Sequence, residues 1–175
     1  MTRHELRALF LNTVSSTMAV TFGIGIVVIA IAVAFIFYAN RGSHLELPGK
    51  ILKVRTAPLD EKSAAVVIDF RVTNPSNVTF MTREVTVVLE DKSGKQTEGA
   101  TSSEMDAQRL MAGIPLLGQK YNPSLIVRTQ VAPHSSLDRM VAARFEVPDD
   151  ELQARKRFLV RIEEVDGATV EYSEK

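Results

Sequence analysis

Three histidines are the first residues to weigh for chemistry, because the chain has no cysteine. Thiolate nucleophiles, Cys-ligated zinc and disulfides are excluded on that count. His4, His44 and His134 are far apart in sequence, so no two share metal-ligand spacing. His134 precedes Ser135 and Ser136, which raises a base–nucleophile pair. Neighbours within one turn rarely reach base-to-hydroxyl geometry, and a solvated Pro-His-Ser-Ser turn is the plainer reading. Asp149-Asp150-Glu151 could be cation ligands, but no Asp-x-Asp-x-Asp-Gly loop surrounds them. Behind Pro148 they suit the first turn of a helix, where the dipole favours acids. No GxGxxG or GxxxxGK[ST] pattern is present. The sequence therefore offers no catalytic, metal or cofactor constellation, and the expectation is a non-enzymatic protein without a cofactor.

Two further stretches could bind rather than react. Arg155-Lys156-Arg157 is a basic cluster that could touch anionic headgroups or an acidic partner, or be a solvated junction. Leu110 to Gly118 is apolar with neither helical nor strand period. Leu110, Met111, Ile114, Leu116 and Leu117 could form an exposed docking patch, or cover an open end of a β-domain.

The elements that must carry these residues fall into two parts. From Ala8 to Asn40 no residue is charged, and residues 18–39 are almost wholly apolar. Twenty-two helical residues rise roughly 33 Å, about the hydrocarbon thickness of a bilayer. With no polar face, a membrane span is expected over 18–39 within an N-terminal region 1–40. A cleaved signal peptide is the rival, but its apolar core would be shorter, and Phe35 to Tyr38 follow the small-residue pairs that resemble a cleavage site. Thr2 and Glu5 fit a capping box, so one helix from about residue 3 to 39 is expected. Ala19/Gly23 and Ala30/Ala34 are two pairs of small residues four apart, a spacing that lets helices approach closely and is also common in any span. A short basic head with Arg3 and Arg7 places the N-terminus in the cytoplasm and the following domain outside, although Arg41, Lys50, Lys53 and Arg55 favour the reverse by simple count.

Residues 41–49 read as a linker broken by Pro48-Gly49, and residues 50–175 as a β-domain. Without Arg3, Arg7 and Glu5 the remainder holds 19 Lys+Arg and 20 Asp+Glu, which gives no electrostatic footprint for nucleic acid. Alternating apolar positions mark strands near 51–56, 65–73, 84–90, 125–131, 141–147, 158–162 and 169–172, with turns at 91–94 and 166–167. Short helices are expected at 103–111 and 148–155. This predicts a mainly β fold: an immunoglobulin-like antiparallel β-sandwich with an N-terminal transmembrane helix and one or two short helices.

Asp69-Phe70-Arg71-Val72-Thr73-Asn74-Pro75-Ser76-Asn77, followed by a strand at 84–90, resembles the strand-Asn-Pro-Asn signature of late embryogenesis abundant group 2 domains. Residues 133–148 are similar to the penultimate-strand region of bacterial extracytoplasmic immunoglobulin-like or fibronectin III-like domains. The resemblance implies a small sandwich behind a membrane anchor, and a free-standing stress-related envelope protein as one function. The segment 102–118 departs from such a minimal sandwich. Membrane lipid and other membrane-protein subunits are the expected partners. The lead expectation is an accessory or scaffold subunit of a larger respiratory, photosynthetic or transport assembly.

Overall fold

A computed structural model describes residue 18, residues 20–35 and residues 47–174. The chain divides into two compact units, Met1–His44 and Leu45–Lys175. In the first, residues 20–35 form a helix, α1, whose side chains are exposed around its whole circumference, including Phe22 at 73% and Phe35 at 69%. Among the described residues no helix is long and apolar enough to cross a membrane. The expected span 18–39 includes residue 19 and residues 36–39, which lie outside the described residues, as do Thr2, Glu5, His4 and His44.

The second unit is a two-layered antiparallel β-sandwich. Its strands are β1 (Gly49–Pro58), β2 (Ala64–Asn74), β3 (Phe80–Glu90), β4 (Gln96–Thr101), β5 (Gln130–Val131), β6 (Ser135–Phe145), β7 (Arg157–Glu164) and β8 (Thr169–Ser173). One layer is β1-β2-β6, and the other is β3-β7-β8. β4 ties them together. It pairs with β3 through residues 96–99 and with β6 through Ala100 and Thr101. Helices α2 (Glu104–Gly113) and α3 (Asp149–Gln153) and a 3-10 turn (Pro115–Leu117) interrupt the strands.

Period-two patterning explains the layers. Val66, Ile68, Phe70 and Val72 of β2 face Val87 and Leu89 of β3 and Phe158, Val160 and Ile162 of β7 in one core. Phe70, Phe80, Phe145 and Phe158 are fully buried, each contributing about 2–3 kcal/mol by area removed from water. The opposite face of β2 is buried as well. Ala65 and Val67, with Ala57, Met140 and Ala142, form a second core under Ala107, Met111 and Leu117. The small residues on this sheet face let the helix sit close.

Three segments differ from the sequence expectation. The strand expected over 125–131 is reduced to Gln130–Val131. Pro123 lacks a donor, and Arg128 takes a left-handed backbone (φ 66°) that turns the chain out of the ladder. β6 starts at Ser135 rather than 141, because all eleven of its residues pair with β2. β4 was not expected at all, since its QTEGAT sequence has no apolar alternation. It is held by backbone pairing, and Gly99 is needed there because a Cβ would lie 2.6 Å from the Phe145 ring.

Candidate functional site

The feature that sets this sandwich apart is the insertion between β4 and β5. The chain leaves the β6 edge where the Ser102 amide donates to the Ala142 carbonyl (2.8 Å). It returns where the Leu125 amide donates to the Met140 carbonyl (2.8 Å). Between these points it crosses the outer face of the β1-β2-β6 layer. Ser103 caps α2, its Oγ accepting from the Asp106 amide at 3.2 Å.

A buried ion pair holds the insertion down. Arg55 Nη2 donates to Asp69 Oδ2 at 2.6 Å, with side-chain exposures of 8% and 6%. Arg55 Nη1 donates to the carbonyls of Leu117 (2.6 Å) and Gln119 (2.9 Å). Asn122 Nδ2 donates to Asp69 Oδ1 at 2.9 Å, and the Tyr121 ring lies 5.8 Å from the guanidinium carbon. Glu104 draws the returning chain to α2. Its Oε2 accepts from the Ser124 amide at 2.7 Å and its Oε1 pairs with Lys120. The Lys120 ammonium, then Ser124, hold the Glu104 carboxyl down at about 2.

Of the five residues expected as a docking patch, Met111 (5%) and Leu117 (0%) are buried in the second core. That corrects the expectation at these two positions, because packing on Ala65, Val67 and Met140 leaves them no surface to offer. Leu110 and Ile114 are half-buried against the same core, and Leu116 is exposed at 69%. The insertion therefore covers a sheet face, not an open end. Beside it lies a groove of about 520 Å³, floored by Val85, Leu125 and Val141, with Met105, Ile126 and Val127 at its mouth.

Each cation of the basic cluster Arg155-Lys156-Arg157 has an acidic partner within the domain. Arg155 makes a bidentate pair with Glu174 (2.8 and 2.6 Å) over the Phe158 ring. Lys156 Nζ and Arg157 Nε each reach a Glu90 oxygen at 2.6 Å. Those two hydrogen bonds lower the Glu90 carboxyl below its usual range. Burial pushes the Glu174 carboxyl upward, but the Arg155 hydrogen bonds, the Phe158 amide and the Arg155 charge together outweigh it and the net shift is down.

His134 is exposed, takes a left-handed backbone (φ 53°) and places Nε2 2.8 Å from Asn77 Oδ1. Ser135 Oγ donates to the Ala132 carbonyl, and Ser136 Oγ bonds Thr73 Oγ1. Neither hydroxyl is engaged by the histidine. Asp149 to Glu151 form the first turn of α3. Among the described residues no group of His, Asp and Glu could hold a metal ion. On α1, Gly23, Ala30 and Ala34 are exposed, and Ala19 lies outside the described residues.

Asn74 gains a role that the sequence did not reveal. It is fully buried, and its Nδ2 donates to the carbonyls of Val78 (2.7 Å) and Val131 (2.9 Å). Its Oδ1 accepts from the Ser76 amide (3.1 Å) and hydroxyl (2.7 Å). The Asn-Pro-Ser-Asn turn is thus a structural knot joining β2, β3 and β5.

No family model matches the chain, and no curated protein matches it. Among solved structures it is similar to an uncharacterized β-sandwich protein from Clostridium difficile 630, at 13% identity and TM-score 0.38, over 74% of this chain and 86% of that one. It is also similar to the archaellum periplasmic stator protein FlaG from Sulfolobus acidocaldarius, at 11% identity and TM-score 0.34, over 74% of this chain and all of that one.

Proposed function

We propose that this chain is a non-enzymatic, single-pass membrane protein whose helix and immunoglobulin-like sandwich bind other subunits of a membrane assembly. The observation that carries the reading is α1. Every described side chain of residues 20–35 is exposed, and none is charged. Such a surface is stable against lipid or another apolar helix, not against water. Residues 18–39 then span the bilayer, with the N-terminus cytoplasmic and the sandwich extracytoplasmic. The pairing β1-β2-β6 over β3-β7-β8 supports the immunoglobulin-like reading, because it matches the A-B-E and C-F-G strands of that architecture with β4 as the switching strand. Leu116 on the insertion and the Gly23/Ala30/Ala34 positions of α1 are the contacts offered to protein partners.

Purification from native membranes in mild detergent tests this. The expected result is co-purification with defined subunits in a particle larger than one chain and its detergent. Recovery only as a free monomer would overturn it. A second reading, a free-standing envelope protein of late embryogenesis abundant group 2 type, is favoured by the buried Asn74 knot at the heart of the resembling motif. Stress-dependent abundance without a stable partner is the outcome that would select it.

A further inference from the structure

We infer that the sandwich docks an extended peptide segment of a partner protein, which adds as a short strand to the open middle of β3 and puts an apolar side chain into the groove beside it. The inference rests on the subunit-binding reading above and names the surface and the form of the partner.

The site begins with a gap in a ladder. One edge of β3 pairs with β7 from Glu84 to Glu90. The other edge has partners only at its ends. β5 pairs there with Phe80 and Met81. The turn before β5 takes up Thr82, whose carbonyl accepts from the Arg128 amide (2.7 Å) and whose amide donates to the Thr129 carbonyl (2.9 Å). β4 covers Val87 to Glu90. Residues 83–86 have no strand partner on this edge. The crossing of β4 causes the gap. In its register with β3, Thr101 falls opposite Val85, but Ala100 and Thr101 pair instead with Arg144 and Ala143 of β6.

The direction of the main chain follows from the alternation of an antiparallel strand. The Asp91 amide donates to the Lys95 carbonyl on the β4 side (3.1 Å). Every second residue back from it, Leu89, Val87 and Val85, turns its N–H and C=O to that same side. Val87 meets Gly99 there, and Val85 meets the gap. A main-chain donor and acceptor between two paired segments is a place for one more strand. At roughly 3.4 Å per residue, the gap takes a segment of about four residues.

The groove of about 520 Å³ lies along this gap, with Val85 on its floor. Its one charged lining residue is Glu104, already bonded to the Lys120 ammonium and the Ser124 amide. The groove therefore offers no free charge to an ionic ligand, and its floor suits an aliphatic side chain. A lipid chain would cover the floor but leave the Val85 main chain unbonded, whereas a peptide strand satisfies both. The residue set opposite Val85 points its side chain to the same face as Val85, onto the floor, and its neighbours point away. One apolar anchor flanked by freely chosen residues is the motif this surface reads.

A photoreactive benzophenone side chain is placed at Met105, Ile126 or Val127 on the rim, and at Leu52 and Lys92 as controls, in the full chain. Cells making each are irradiated, the chain is purified from their membranes in mild detergent, and adducts are mapped by mass spectrometry. The expected result is crosslinking from all three rim positions to one segment of one co-purifying subunit, and none from the controls. Ile126→Asp should weaken the adduct formed from Met105. In the same complex the Val85 amide should exchange with deuterium about tenfold or more slowly than in the free chain, because strand addition bonds it. Subunits that co-purify but crosslink only elsewhere, adducts to this chain itself, or a Val85 amide left unprotected would overturn the inference and leave the subunit-binding reading standing. Recovery of the chain only as a free monomer overturns that reading, and the inference falls with it.

Discussion

Arg55 and Asp69 are buried partners whose charges compensate each other, so they stabilise only as a pair. Arg55→Met leaves the Asp69 carboxylate without its cation in a site 6% exposed, and two loop carbonyls without their donor. The expected loss is about 3 kcal/mol or more in denaturant unfolding, and Arg55→Met with Asp69→Leu should recover much of it. An additive double mutant would contradict the pairing. Glu104 gives a pH signature. Its folded carboxyl sits at about 2 against an ordinary 4.5. A depressed acid adds stability above its unfolded value and loses it as pH falls toward the folded one. Wild type should therefore melt above Glu104→Gln at neutral pH, with the gap closing between pH 4.5 and about 2. A gap independent of pH would contradict the Lys120 and Ser124 contacts as its source. Neither cluster was legible in the sequence. Arg55 meets Leu117 across 62 positions, and Glu104 meets Ser124 across 20. The unbroken apolar run Ala64 to Ile68 is the local trace of β2 being covered on both faces, and Asp69 on the outer face obscured it.

At the scale of elements, legibility followed the alternation of apolar residues. β2, β3, β7 and β8 were readable because each puts alternate side chains into the shared core. β4 was not, because its backbone does the pairing and its side chains stay mostly exposed. The 125–131 run misled for the opposite reason: its apolar alternation is real, but Pro123 and Arg128 break the ladder. The segment 110–118 matched neither period because it mixes a helix end, a 3-10 turn and a change of direction. Its residues nevertheless divide cleanly. Leu117→Ser opens a cavity and strands a hydroxyl in the second core, and should cost about 3 kcal/mol in a thermal melt. Leu116→Ser, on the exposed side, should stay within about 0.5 kcal/mol of wild type. Equal losses would contradict the assignment of one to core and the other to surface.

For the whole molecule, the exposed faces of the sandwich narrow where partners can bind. The outer face of the β3-β7-β8 layer carries ion pairs of Arg161 with Glu98 and Glu171, and of Arg83 with Glu163, which suits it to water. The free edge of β1 is blunted by a register shift between Ile51 and Lys53 and by exposed Lys50 and Lys53, which discourages strand addition. Among the described residues, the large apolar side chains that stay exposed are those along α1 and single ones on the sandwich, among them Leu52, Val78, Met105, Leu116, Tyr121, Val127 and Val165. The helix with exposed apolar side chains all round is the feature on which the proposed membrane anchor rests. The proposed function depends on that anchor, and alkaline extraction of membranes from cells making the full chain, or residues 45–175 alone, tests it most directly. The account predicts that the full chain stays in the alkali-washed membrane pellet while 45–175 is released to the supernatant. Release of the full chain by alkali would contradict it.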